Sequence, residues 1–287
     1  VNATDLPAVS IGIPTFNGGH VIGDAVASAL SQSFRDIEVI VSDNASSDDT
    51  PDVLAALAAR DSRLRIIRQP VNLGPSGNFK AVLAASRAPL FMWLADDDRI
   101  APDWLERLVP IARRPGTIAF GAVQLADAAW RPRRHYVNGR DLSFTGPALL
   151  RRIRYATEPA YLGKANPIYG LFPRAALNEQ ALEIFQDAAP WSDVLLLYHL
   201  LRSHEIVCDT GALTLAGSGI VRPPASPDNA PRQPPRRRRF FKRTHLPDLL
   251  ALSDWRETVI LLALLPVTTL RFELQKLSRK RCPSNKP

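Results

Sequence analysis

The chain carries only two cysteines, Cys208 and Cys282, and they stand far apart in sequence. They form neither a CxxC pair nor a disulfide framework, so a reducing compartment is the simpler expectation. No GxGxxG and no GxxxxGKS/T occurs. A Rossmann cofactor site and a P-loop are therefore not expected. The apolar stretch Val259-Ile260-Leu261-Leu262-Ala263-Leu264-Leu265-Pro266-Val267 falls short of the roughly 20 residues that a bilayer span requires, and Pro266 interrupts it. The opening Val1-Asn2-Ala3-Thr4-Asp5 has neither the basic region nor the apolar run of a secretory signal, so none is expected.

What is present suits a folded enzyme. The 287 residues are 46% hydrophobic and 22% charged, enough apolar material for a large core and too little charge for disorder. The net charge of +8 is uneven. Much of it lies in Arg236-Arg237-Arg238-Arg239, Lys242-Arg243 and Arg279-Lys280-Arg281, which invites an anionic partner.

Hydrophobic periodicity predicts strands at Val9–Ile13, Ile37–Val41, Leu64–Ile67 and Pro89–Leu94. Helices are expected at Val21–Leu30, Asp52–Ala59 and Gly77–Ala85. This alternation predicts an α/β fold with a mostly parallel central sheet flanked by helices. The catalytic domain is expected over 8–215, with a donor half at about 8–110 and an acceptor half at 111–215. A proline-rich connector (216–235) and a basic, apolar helical tail (236–287) follow. In the second half, a strand is read at Ile118–Leu125, and helices at Pro147–Ile153, from Pro190, and at Leu246–Leu252.

In such sheets the loops after the strands form the ligand crevice. Four polar segments fall there: Thr15-Phe16-Asn17, Asp43 to Asp49, Asn72-Leu73-Gly74 and Asp96-Asp97-Asp98. Three consecutive carboxylates repel one another unless a cation or hydrogen bonds compensate. A hard divalent ion compensates efficiently and can also grip a diphosphate. A solvated acidic loop capping the next helix is the plainer alternative. Asp43 could accept hydrogen bonds from a ribose or a base, or serve only its turn.

Taken together, Ile13-Pro14-Thr15-Phe16-Asn17, Ser42-Asp43-Asn44-Ala45-Ser46-Ser47-Asp48, Asn72-Leu73-Gly74 with Asn78, and Trp93-Leu94-Ala95-Asp96-Asp97-Asp98 resemble the inverting glycosyltransferases of family 2, which have the GT-A fold. Order and spacing match over about 8–110, and Tyr169-Gly170-Leu171-Phe172-Pro173-Arg174 extends the match more weakly. The resemblance implies transfer of a hexose or deoxyhexose from a UDP- or dTDP-sugar to a glycan or lipid-linked acceptor. It implies that Thr15 and Asn17 line the nucleotide pocket and that Pro14 shapes its turn. Asp43 would meet the uracil or thymine ring, and Asn72 and Asn78 would border the site. Asp96 would face the ribose and Asp97 would bind Mn²⁺ or Mg²⁺, with Asp98 sharing either task. The family often reads Asp-x-Asp-Asp here, and Ala95 replaces the first aspartate.

An inverting transfer needs a general base for the acceptor hydroxyl. The family places it in a Glu-Asp pair at a helix start. Here Ser192-Asp193 corresponds, so Asp193 is the expected base and Asp187 the backup. A first-turn aspartate stabilised by the helix dipole is the competing account of Asp193. Tyr169, Gly170, Arg174 and Trp191 are expected at the acceptor edge. His199, His204 and His245 have no marked metal role. Two competing functions stay open: a nucleotidyltransferase acting on a sugar phosphate, and a non-enzymatic basic module. The tail suggests contact with an anionic membrane surface, and hence a cytoplasmic protein held at the inner face of the cell membrane. Its leucines also suit packing on the catalytic domain or a homodimer interface. Nucleic acid ranks below both.

Overall fold

The computed structural model describes residues 6–186, 191–217 and 246–264. The sequence first builds a parallel α/β layer. β1 (Val9–Thr15) and β2 (Ile37–Asp43) are buried along their whole lengths, as expected of strands covered on both faces. They pair in parallel with Thr15 opposite Asp43. β3 (Leu64–Arg68) extends the sheet beside β2, and β4 (Leu90–Trp93) lies on the other side of β1. The crossovers are α1 (Ile22–Leu30), α2 (Thr50–Ala58) and α3 (Gly74–Ala85). Two of these helices start differently from the sequence reading. α2 starts two residues early, at Thr50, whose N–H donates to Asp48 Oδ1 at 3.1 Å. α3 starts three residues early because Pro75 is pre-set for a first helical turn.

The second half completes an eight-stranded sheet. Its remaining members are β5 (Asp98–Ile100), β6 (Thr117–Ala126), β7 (Leu171–Pro173) and β8 (Glu205–Gly217), in the order β3-β2-β1-β4-β7-β6-β8-β5. β7 runs antiparallel to both β4 and β6, and β5 antiparallel to β8. The sheet is thus parallel in its first half and mixed in its second. The helices here are α4 (Trp104–Ala112), α5 (Ala148–Thr157), α6 (Glu179–Ile184) and α7 (Ser192–Leu200). The described tail adds α8 (Leu246–Ala251) and a helix at 255–264, here α9. No described helix is long and apolar enough to cross a membrane. The basic run at Arg236–Arg243 and the proline-rich connector from residue 218 on lie outside the described residues.

The described tail packs against the body. Leu249 and Leu261 are buried. Arg152 of α5, also buried, pairs with Glu257 at 2.8 Å and donates to the Leu252 carbonyl at 2.7 Å. Its guanidinium lies 4.2 Å from the ring centroid of Tyr198 in α7. The Tyr198 hydroxyl in turn meets Ser253 Oγ at 2.7 Å.

A second charged group is buried at the strand starts. Glu38 of β2 accepts from Ser10 Oγ (2.6 Å), from the Arg87 N–H (2.9 Å) and from Arg65 Nη1 (3.1 Å). Burial opposes its charge, but the Ser10 and Arg87 donors outweigh burial and hold its carboxyl below the usual range. Glu38→Ala should destabilise the fold by about 2 kcal/mol, the scale of hydrogen bonds to a charged group. Because the folded-state pKa is depressed, this stabilisation is present above the unfolded value and lost as pH falls through the folded one. Urea melts of both proteins should therefore converge in acid.

Candidate active site

The carboxyl ends of β1, β2, β3 and β4 bring the four polar segments together, as the parallel half requires. Thr15 ends β1 and donates to Asp96 Oδ2 at 2.7 Å, and both side chains are buried. Gly18 makes room for this pair. A Cβ there would lie 2.4 Å from Thr15 Oγ1 and 2.8 Å from Asp96 Oδ2. Asn17 has a left-handed backbone, φ 51°. Its N–H donates to Ser46 Oγ and its side-chain oxygen accepts from the Ser47 N–H, each at 2.9 Å, so the first two loops are stitched together. Asp48 finishes the seam. Burial opposes its charge, but Thr50 and the Gly19 N–H donate to it and hold its carboxyl below the usual range.

Asp43 is 1% exposed. Its Oδ1 accepts from the Ser46 N–H at 2.9 Å. Among the described residues its Oδ2 has no hydrogen-bond donor, although it is buried, and pairs only at 3.8 Å with Arg68 Nη1. A buried carboxylate oxygen left without a donor is costly. Asn78 donates to the carbonyls of Thr15 and Ser42 at 3.1 and 3.0 Å, so its amide ties the ends of β1 and β2. Asn72 Oδ1 accepts from Asn44 Nδ2 and from the Gly74 N–H, fixing the start of α3.

These segments enclose a cavity of about 270 Å³ lined by Pro14, Thr15, Asn72, Asn78, Asp96 and Asp97, with Asn44 and Phe79 among the other walls. Asp98 is not in this cavity. It opens β5, accepts from the Gly217 N–H at 3.0 Å, and lines a neighbouring cavity of about 320 Å³ with His135 and Asn166. Among the described residues, no three His, Cys, Asp or Glu side chains converge as a metal cage. The donor set fits a Mg²⁺- or Mn²⁺-type ion that takes one or two carboxylates and completes its shell with phosphate oxygens and water. Asp96 and Asp97 are the two carboxylates that line this cavity, Asp96 buried and Asp97 half-buried.

Asp193 lies in the first turn of α7, where it accepts from the Val194 N–H at 2.7 Å. Burial pushes its carboxyl above the usual range, and the backbone N–H bonds only partly offset that. It lines a third cavity, of about 350 Å³, together with Trp191. Pro75, Phe79 and Tyr169 border both this cavity and the one holding Asp96 and Asp97. Tyr169 also lines the Asp98 cavity and so stands where all three meet. Burial, then the charges of Asp98, Asp97, Asp193 and Asp96, raise its pKa, so the phenol stays a hydrogen-bond donor.

Two expected acceptor residues belong elsewhere. Arg174 follows β7, which runs antiparallel to β4, so the chain has already left the site. Its N–H bonds the Pro89 carbonyl and its Nε bonds Ser86 Oγ, at the opening end of β4. Gly170 is a packing position. A Cβ there would come within 2.8 Å of the Ala119 carbonyl and 2.9 Å of the Pro167 carbonyl. His199 and His204 line none of the three cavities, and burial lowers the pKa of both. Asp187 and His245 lie outside the described residues. Phe79, Gly18 and His135 were not singled out from the sequence. A helix phenylalanine, a loop glycine and a lone histidine carry no signal of their own.

The Glycosyl transferase family 2 model matches residues 10–178, more than half of the chain. Over 202 residues the chain is 30% identical to the succinoglycan biosynthesis protein ExoO of Rhizobium meliloti, covering 67% of this chain and 55% of that protein. Over 117 residues it is 34% identical to the GalNAc(5)-diNAcBac-PP-undecaprenol beta-1,3-glucosyltransferase of Campylobacter jejuni, covering 40% of this chain and 38% of that protein. The chain thus spans about half or less of the length of these relatives. S. aureus TarS 1-349 in complex with UDP matches with a TM-score of 0.55 at 17% identity, over 73% of this chain and 60% of that one. The mannosyltransferase PcManGT from Pyrobaculum calidifontis, in complex with GDP-Man and Mn2+, matches with a TM-score of 0.53 at 19% identity, over 74% and 57%. At these identities the likeness is one of fold: the helix-flanked central sheet that the GT-A resemblance implied.

Proposed function

The chain belongs to glycosyl transferase family 2, and from that premise we infer that it moves a hexose or deoxyhexose from a UDP- or dTDP-sugar, with inversion, to a hydroxyl of a glycan or lipid-linked acceptor. The observation that carries this reading is the wall shared by two cavities. Pro75, Phe79 and Tyr169 border both the cavity with Asp96 and Asp97 and the one with Asp193. A donor on one side and an acceptor on the other would meet at that wall. Asp43 does not itself line the first cavity but ends β2 one residue before Asn44, which does; the imide N–H of uracil or thymine is a donor of the kind its buried Oδ2 lacks, and this supports a nucleotide there.

In the proposed step the acceptor oxygen attacks the anomeric carbon from the face opposite the diphosphate. The glycosidic C–O bond to phosphate breaks, and the nucleoside diphosphate leaves with the bonding electrons. The acceptor proton passes to the Asp193 carboxylate. A Mn²⁺ or Mg²⁺ ion, when bound at Asp97, supplies positive charge to the diphosphate. Asp96, held by Thr15, suits the ribose hydroxyls. Tyr169 can donate to an oxygen at the junction, and Trp191 offers an apolar face to a sugar ring.

The test is a panel of nucleotide sugars assayed with Mn²⁺ or Mg²⁺ and with chelator, product stereochemistry being read by NMR. Release of UDP or dTDP that needs the metal, with inverted product, is the expected result. Full turnover in chelator, or a retained anomeric configuration, overturns the mechanism. The pH profile gives a second readout. The base works deprotonated and its pKa is raised by burial. Turnover should therefore fall, as pH drops, at a higher pH than an ordinary aspartate would give.

A further inference from the structure

We propose that the outer face of α9 is a docking surface for an anionic lipid bilayer. The helix turns one face inward, through Glu257 and Leu261, both buried. The opposite face of a surface helix is normally polar. Here it carries Trp255, Val259 and Leu262, spaced i, i+4 and i+7, with exposures of 72%, 59% and 47%. Arg256 stands beside them, its guanidinium 5.3 Å from the Trp255 ring centroid. A tryptophan, two aliphatic side chains and a cation on one exposed stripe have the composition of an interfacial helix, which lies in the headgroup plane rather than crossing it.

The charge on either side selects the occupant. Between Asp228 and Asp248 the sequence holds Arg232, Arg236, Arg237, Arg238, Arg239, Lys242 and Arg243 and no carboxylate. Beyond α9, in residues 265–287, come Arg271, Lys276, Arg279, Lys280, Arg281 and Lys286 against the single Glu273. Cations flanking an apolar stripe add electrostatic attraction for anionic headgroups to apolar insertion. A second copy of the chain would bring a net charge of +8 against its equal. Nucleic acid would use the cations and leave Val259 and Leu262 without purpose.

The surface involves no residue of the three cavities, so this inference stands or falls apart from the sugar-transfer reading. The test is co-sedimentation of the full chain, at low salt, with vesicles of equimolar phosphatidylglycerol and phosphatidylcholine, against vesicles of phosphatidylcholine alone. The wild-type protein should sediment with the anionic vesicles only. The triple variant Trp255→Ser, Val259→Ser, Leu262→Ser should partition about tenfold less, with thermal melting and nucleoside diphosphate binding unchanged. The single variant Trp255→Ser, at the most exposed of the three positions, should show part of the loss and serves if the triple variant folds poorly. Wild-type protein that stays in the supernatant overturns the proposal. So does a triple variant that partitions like wild type, or one whose only change is from dimer to monomer in size-exclusion chromatography.

Discussion

Asp193→Asn should lower turnover by about 10²–10⁴-fold, the range a positioned general base contributes, while donor affinity stays within error of wild type. The amide is nearly the size of the carboxylate. It keeps an oxygen to accept the Val194 N–H, so the first turn of α7 should be undisturbed. What it cannot do is take a proton. Asp193 lines the cavity on the far side of the Pro75–Phe79–Tyr169 wall from Asp96 and Asp97, so donor binding has no direct reason to change. Isothermal titration with the nucleoside diphosphate and steady-state rates together decide the matter. The acid limb of the pH profile should vanish with the carboxylate. A parallel fall in affinity and rate would instead assign Asp193 to the fold.

Asp97→Asn should cost roughly 10²–10³-fold in turnover, since charge stabilisation by a metal is worth several kcal/mol and each 1.36 kcal/mol is tenfold. It should also remove the part of nucleotide binding that depends on Mn²⁺ or Mg²⁺. Asp98→Asn is the control within the same triplet. Asp98 sits in β5, bonded to the Gly217 N–H, and lines the cavity with His135. Its loss should raise the acceptor KM and leave metal-dependent nucleotide binding close to wild type. Equal loss of metal-dependent binding in both variants would mean that both carboxylates hold the ion.

How much of this was legible depends on how each part is built. β1, β2 and β4 are short apolar runs buried on both faces, each closed by polar residues, and such runs can be read by eye. The second half hides its logic. β7 is three residues long and antiparallel, and β8 is a thirteen-residue strand of mixed burial that pattern alone did not reveal. Arg174 was misplaced for the same reason. Tyr169 and Arg174 are five positions apart in one motif, but a strand carries them to opposite ends of β4. The triplet Asp96-Asp97-Asp98 shows a similar limit. Three adjacent letters suggest one cluster, whereas the turn into β5 sends Asp98 to a different cavity from its neighbours. Asp43 was visible as a residue type, but only three dimensions show one of its oxygens buried without a donor.

The Arg152–Glu257 pair gives the tail a second meaning. A protease that trimmed the chain ahead of Leu246 would remove Glu257, the acid that, among the described residues, pairs with a guanidinium that is 2% exposed. Stranding a buried charge in this way costs about 3–5 kcal/mol, a large share of what a domain has to spare. The segment after the proline-rich stretch therefore acts as a counter-ion for the body. A shortened enzyme would lose thermal resistance before any question of location arose, and α5, which carries that cation, and α7, whose Tyr198 ring lies against it, would be the first helices to loosen.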